Sequence, residues 1–121
     1  MANEKILVVD DSPTDLRLVT DALKGSGYRV STAVDGEEAL DKAAVDHPDL
    51  IVLDIILPKK NGFQVCRQLK TAPGTKDIKI LLLSSKSQDS DRFWGLKQGA
   101  DDYMVKPFDN GDLLNNISKL L

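Results

Sequence analysis

Two aspartates stand side by side in "KILVVDDSP" (residues 5–13), directly after an apolar run. Adjacent carboxylates repel each other, and partial burial raises that cost. Other residues along the chain complement them. Asp54 ends the run "LIVLD", Ser84 and Ser85 follow "IKILLL", and Lys106 closes "DYMVK". Three carboxylates gathered on one spot call for a cation. Oxygen-only donors select Mg2+, with Mn2+ or Ca2+ as substitutes, over zinc, which takes His or Cys. His47 and Cys66 lie elsewhere in the pattern. A lysine beside the carboxylates serves either as a counter-ion or as a clamp on a phosphoryl group, and the Ser84 hydroxyl would complete a phosphoryl-binding cradle. An aspartate can itself accept the phosphoryl group as an acyl phosphate while a metal neutralises the charge that develops. Asp10 and Asp11 suit metal ligation. Asp54, alone at the end of its run, is assigned as the acceptor.

These residues meet only if folding delivers them to one edge. Apolar runs at 5–9, 29–33, 50–54, 78–83 and 102–106 read as strands. Three are nearly continuous Ile, Leu and Val, as expected for parallel strands covered on both faces. Between them lie helical stripes: Leu16, Val19, Leu23; Ala39, Leu40, Ala43, Ala44; Phe63, Cys66, Leu69; Leu113, Leu114, Ile117, Leu121. Ser12 before Pro13, Asp35 with Glu38, and Asp109 with Asp112 have the spacing of helix starts. Gly25, Gly27 and Gly99 mark helix ends. The alternation predicts an α/β domain: (βα)5, a doubly wound parallel five-stranded sheet with helices on both faces. Ligands in such sheets bind beyond the carboxyl ends of the strands, where Asp10, Asp11, Asp54, Ser84 and Lys106 all emerge.

Length and composition narrow the function. A chain of 121 residues fits one domain, 1–121, and can bury a core without staples. With 41% hydrophobic and 29% charged residues it reads as globular. A net charge of −3 offers no basic patch for nucleic acid. No apolar run approaches the ~18 residues of a membrane span, and no secretory signal is present. The single Cys66 excludes an internal disulfide and fits a reducing, cytoplasmic setting. Phe93 and Trp94 are about 100° apart on a helix, so both cannot face the core centre; Phe93 is expected inside. His47 reads as a helix-end residue, and Asp101 and Asp102 as solvated.

Four motifs in register, "ILVVDDSP", "DLIVLDIILPKKNGFQV", "ILLLSSK" and "GADDYMVKPF", resemble the receiver domain of two-component response regulators, the CheY-like, flavodoxin-like fold. The resemblance covers the whole chain. It implies strand order 2-1-3-4-5. It implies that Asp54 is phosphorylated by a histidine kinase or phosphotransfer protein, with Asp11 and Asp54 as direct Mg2+ ligands. Asp10 would act largely through water, and the Ile56 backbone carbonyl would be the third protein ligand. By the same likeness Ser84 binds the phosphoryl group, Lys106 ion-pairs with it, the Lys106–Pro107 bond is cis, and Tyr103 is the aromatic switch. Ser84 stands where threonine is frequent, and Ser85 where alanine is. The stretch "SKSQDSDRFWGLKQGADDYMVKP" resembles single-domain regulators of type IV pilus twitching motility, the PilH-like branch.

On this reading the face built by the fourth helix, fifth strand and fifth helix changes shape to control a partner protein, in motility or chemotaxis-type signalling. Ile56 and Lys86 flank the path of attacking water and are expected to tune dephosphorylation. Ile56 offers no hydrogen bond to water, so self-dephosphorylation is expected to be slow. The chain ends one helix after "KPF", so a stand-alone regulator with no output domain is expected. A phosphatase of the haloacid dehalogenase type wants a second acidic residue where Ile56 stands. A binding module independent of phosphorylation would have lost Asp54, the acidic pair or Lys106. A flavin-binding module wants a hydroxyl-rich loop after the first strand, where this chain is acidic.

Overall fold

The structure, a computed structural model, describes residues 4–121. Its strands are β1 (Lys5–Val9), β2 (Arg29–Ala33), β3 (Leu50–Asp54), β4 (Lys79–Ser84) and β5 (Asp102–Val105). Its helices are α1 (Pro13–Gly25), α2 (Gly36–Asp46), α3 (Gly62–Thr71), α4 (Asp89–Lys97) and α5 (Asn110–Leu120). They alternate strictly, and the strands pair in parallel in the order β2-β1-β3-β4-β5. β4 runs one residue further than the apolar run suggested, so Ser84 closes the strand, and β5 stops one residue short of Lys106.

The period of two along each strand sorts the core into two layers. Leu7, Val9, Ile51, Leu53, Ile80, Leu82 and Tyr103 pack with Ala39, Ala43, Val65, Cys66 and Leu69, so α2 and α3 cover that face. Ile6, Val8, Leu50, Val52, Leu81, Leu83 and Met104 pack with Val19, Leu23, Leu113 and Ile117, so α1 and α5 cover the other. β3 is buried along its whole length because it sits mid-sheet with helices on both sides.

The helix starts face the site. Ser12 Oγ accepts the Asp15 N–H, with Pro13 at the first helical position of α1. Asp35 and Asp109 cap α2 and α5 in the same way. Asn61 and Gln64 form a reciprocal capping box on α3. His47 ends α2 in the left-handed region, at φ 48.

Two expectations are corrected. Phe93 does not enter the core: it is 63% exposed, and Trp94 beside it is 52% exposed. The residue of α4 that meets the sheet is Gly95. A Cβ built there would lie 2.9 Å from Leu82 Cδ1 and 3.0 Å from Tyr103 Cδ2, so α4 lies against the sheet through bare backbone and turns its large side chains outward. Asp101 and Asp102 are not simply solvated. Asp101 accepts the Ile80 N–H and pairs with Lys70 at 2.9 Å, tying β4 and α3 to the turn before β5. Asp102 accepts the Tyr103 N–H and meets Arg92 of α4. Among the apolar stripes, Ala44 and Leu121 are exposed, while Leu16, Leu40, Phe63 and Leu114 are partly buried against the core.

Candidate functional site

β1, β3 and β4 end at one edge of the sheet, and the chain leaving β5 returns over it. Asp10 follows β1 and is buried, while Asp11 beside it is exposed. Asp54 is the last residue of β3 and is 9% exposed. One carboxylate oxygen from each of Asp10, Asp11 and Asp54 lies within 4.8 Å of the others. Among the described residues, no other three His, Cys, Asp or Glu side chains come close enough to share a cation.

Lys106, just past β5, reaches into this cluster. Its Nζ lies 2.9 Å from Asp10 Oδ2, 3.0 Å from Asp15 Oδ2 and 3.3 Å from Asp54 Oδ2. The Lys106–Pro107 peptide bond is cis. The remaining oxygens of the two buried aspartates are also engaged. Asp10 Oδ1 accepts the Ser12 N–H at 2.9 Å, and Asp54 Oδ1 accepts the Ile56 N–H at 3.2 Å. Gly62 gives this corner its shape. Its N–H donates to the Ile55 carbonyl at 2.7 Å, and a Cβ there would collide with the Asp54 and Ile55 backbone.

The charges pull in opposed directions. Burial pushes the Asp54 carboxyl above its ordinary value of 3.8; the Lys106 charge pulls it down, and the Asp10 charge adds to the rise. Burial taken alone would lower the Lys106 ammonium. Hydrogen bonds to Asp10 and Asp15, with the charges of Asp54 and Asp10, more than reverse this and hold it above its ordinary range. A buried carboxyl raised by desolvation beside two further carboxylates is a place where a hard cation fits.

Ser84 is fully buried, and its Oγ accepts the Lys86 N–H at 3.1 Å. Tyr103 is buried, and its hydroxyl donates to the Lys86 carbonyl at 2.8 Å. Burial raises its phenol above the ordinary value. Tyr103 thus sits inside, latched to the loop that follows Ser84. Ile56, two residues past Asp54, is 55% exposed, and Lys86 is exposed on the chain leaving β4. Cys66 lies away from the site, with its thiol pushed up to about 12 by burial.

Asp15 is the residue that sequence reasoning missed. In the first turn of α1 it reads as an acid complementing the helix dipole. The signal available was its place in the first turn of the helix that follows the Asp10–Asp11 pair directly.

Comparison with known proteins agrees with this geometry. A family model for the response regulator receiver domain matches residues 6–118. The alkaline phosphatase synthesis transcriptional regulatory protein PhoP of Bacillus subtilis is 47% identical over 98% of this chain. The chain spans about half the length of PhoP and of several other transcriptional regulators that it matches. Protein PilH of Pseudomonas aeruginosa is 39% identical over 97% of both chains. The chemotaxis response regulator CheY4 of Vibrio cholerae superposes with a TM-score of 0.93 at 33% identity, over 99% of this chain and all of that one. The receiver domain of the sensor histidine kinase PA1611 of Pseudomonas aeruginosa, solved with a magnesium ion coordinated in its active-site cleft, superposes with a TM-score of 0.91 at 28% identity, over 98% of both chains. The chain belongs to the response regulator receiver domain family of two-component signalling.

Proposed function

We propose that this chain accepts a phosphoryl group on Asp54 in a Mg2+-dependent reaction and uses it to reshape a partner-binding face. The observation that carries the reading is the meeting of Asp54 with Asp10, Asp11 and the Lys106 ammonium at one edge of the sheet.

The donor is a phosphohistidine on a sensor kinase or phosphotransfer protein. An Asp54 oxygen attacks phosphorus. The new O–P bond forms as the N–P bond breaks, and the electron pair of that bond returns to the imidazole. Mg2+ held by Asp10, Asp11, Asp54 and the Ile56 carbonyl would neutralise the charge that spreads over the phosphoryl oxygens. Lys106 exchanges its carboxylate partners for a phosphoryl oxygen, and the Ser84 hydroxyl donates to another. Ser84 is joined to Lys86, and Lys86 to the Tyr103 hydroxyl, so a pull on Ser84 is felt at Tyr103. The inward Tyr103 and the loop then stabilise each other, and the equilibrium between inward and outward forms moves with phosphorylation. The readout is the α4–β5–α5 face, where Phe93, Trp94, Leu96 and Val105 leave apolar surface exposed.

The likeness to PilH over nearly the full length of both chains supports a role in motility or chemotaxis-type signalling. Among the described residues no helix is long and apolar enough to cross a membrane, which suits a domain meeting its kinase in the cytoplasm. Incubation with acetyl phosphate and Mg2+, followed by intact-mass measurement, tests the reading. The wild type gains one phosphoryl group and Asp54→Asn gains none. No gain in the wild type, with acetyl phosphate or with a phosphorylated kinase, refutes it.

A further inference from the structure

Asp15 has the geometry of a working residue but stands outside the carboxylate set that can share a cation. Its Oδ2 lies 3.0 Å from Lys106 Nζ, and its side chain is 41% exposed. The other two partners of that ammonium, Asp10 Oδ2 and Asp54 Oδ2, belong to the cation-sharing set. The Oδ1 atoms of Asp10 and Asp54 are already taken by backbone N–H groups. Each Oδ2 is the oxygen not committed to the backbone, so a cation drawing on it competes there with Lys106. Asp15 is the one carboxylate that the lysine can keep when that happens.

The position of Asp15 is not accidental. Ser12 caps the helix through the Asp15 N–H, and Pro13 sets its first turn, so the backbone under the carboxylate is held rigidly beside the site. The cap uses the backbone of Asp15, which leaves its side chain free for Lys106.

We infer that Asp15 is a positioning residue: it holds Lys106 Nζ on the α1 side of the site, easing cation entry at Asp10 and Asp54 and opposing capture of the lysine by a phosphoryl group. This rests on the phosphoacceptor reading. Two consequences of opposite sign follow. Without the Asp15 charge, the ammonium has only Asp10 and Asp54 of the cation-sharing set to pair with, and the surroundings of the cluster are one charge less negative. Mg2+ alone then binds more weakly. Once Mg2+ occupies the cluster, however, the lysine no longer gives up a charge-assisted bond to reach a phosphoryl oxygen, so the phosphoryl-bound state gains.

Calorimetric titration of the whole chain tests this, with Mg2+ alone and then with beryllofluoride as phosphoryl mimic at saturating Mg2+. In Asp15→Asn the Mg2+ dissociation constant rises about three- to tenfold while the beryllofluoride constant falls by a similar factor, the range expected for a half-exposed charge pair. Asp15→Glu, which keeps the charge, returns both toward wild type. Asp21→Asn removes a charge from the same helix, where Asp21 meets only the exposed Arg17 at 3.7 Å among the described ion pairs, and changes neither. Both constants unchanged in Asp15→Asn, both moving in the same direction, or the same pattern in Asp21→Asn overturns the inference. Acetyl phosphate labelling run in parallel keeps the two claims apart. A wild type that takes up no phosphoryl group sinks the phosphoacceptor reading, and the two titrations still decide the part played by Asp15.

Discussion

Asp54 carries the most exposed physical claim, because its burial and its charge oppose each other. A carboxyl whose folded value lies above its unfolded value holds its proton more tightly in the folded chain. Its ionisation therefore subtracts stability. The loss is absent below the unfolded value and grows as pH rises through the raised folded value. In EDTA, Asp54→Asn is thus expected to melt higher than the wild type at pH 7. The gap should close as pH falls toward 3.8. Thermal denaturation at the two pH values checks this, and a gap that does not change with pH refutes it. Ile56 has no polar atom in its side chain with which to orient water. Phosphorylated wild type is expected to decay slowly, and Ile56→Asn faster by several-fold, followed by intact mass over time. A wild-type half-life of seconds that Ile56→Asn leaves unaltered counts against that role.

At the scale of elements, α4 is the weakly anchored member. Its only buried residue is Gly95, which lets the helix backbone approach Leu82, Tyr103 and Phe63. A methyl group there must displace Leu82 or the Tyr103 ring. Gly95→Ala is expected to destabilise the fold by about 1–3 kcal/mol in urea denaturation and to loosen the Tyr103 ring from its place. The ring's release would be read from tyrosine hydroxyl exchange, and an unchanged midpoint refutes the steric argument. α1 is anchored differently, through Val19, Leu23 and its Ser12 cap. Ser12→Ala is expected to cost about 1 kcal/mol and, because the cap sets the first turn under Asp15, to disturb the Lys106 contact as well. A loss of stability confined to helix fraying, with Mg2+ affinity intact, would separate the cap from the site.

For the whole molecule, the acidic cluster is expected to be a stability defect that a bound cation offsets. Three clustered carboxylates with one shared ammonium leave the folded chain short of positive charge, and a cation that binds only the folded state adds to its stability by mass action. Mg2+ at about a hundred times its dissociation constant is expected to add ~2.7 kcal/mol, visible as a rise in Tm that EDTA reverses. An unchanged Tm at saturating Mg2+ would mean that the cluster does not hold the ion.

The elements, and the gathering of these side chains at one edge, were legible in the residue order for a local reason. Strand periodicity, helix stripes, caps and the types of Asp10, Asp11, Asp54, Ser84 and Lys106 are all short-range signals, and the parallel topology leaves one edge on which they can meet. Which side chains face inward on α4 was not legible. A glycine carries no hydrophobic signal, yet Gly95 forms the contact and Phe93 points out. The links from Asp101 to Lys70 and Ile80 were hidden for a similar reason, since charge in a sequence does not name its partner. Asp15 belongs with them. Residue type and spacing by themselves determined that carboxylates, a hydroxyl and a lysine would share an edge. Only the tertiary structure decided how the Lys106 ammonium is divided among Asp10, Asp15 and Asp54, because that division depends on distances of a few ångströms to segments 96, 91 and 52 residues away.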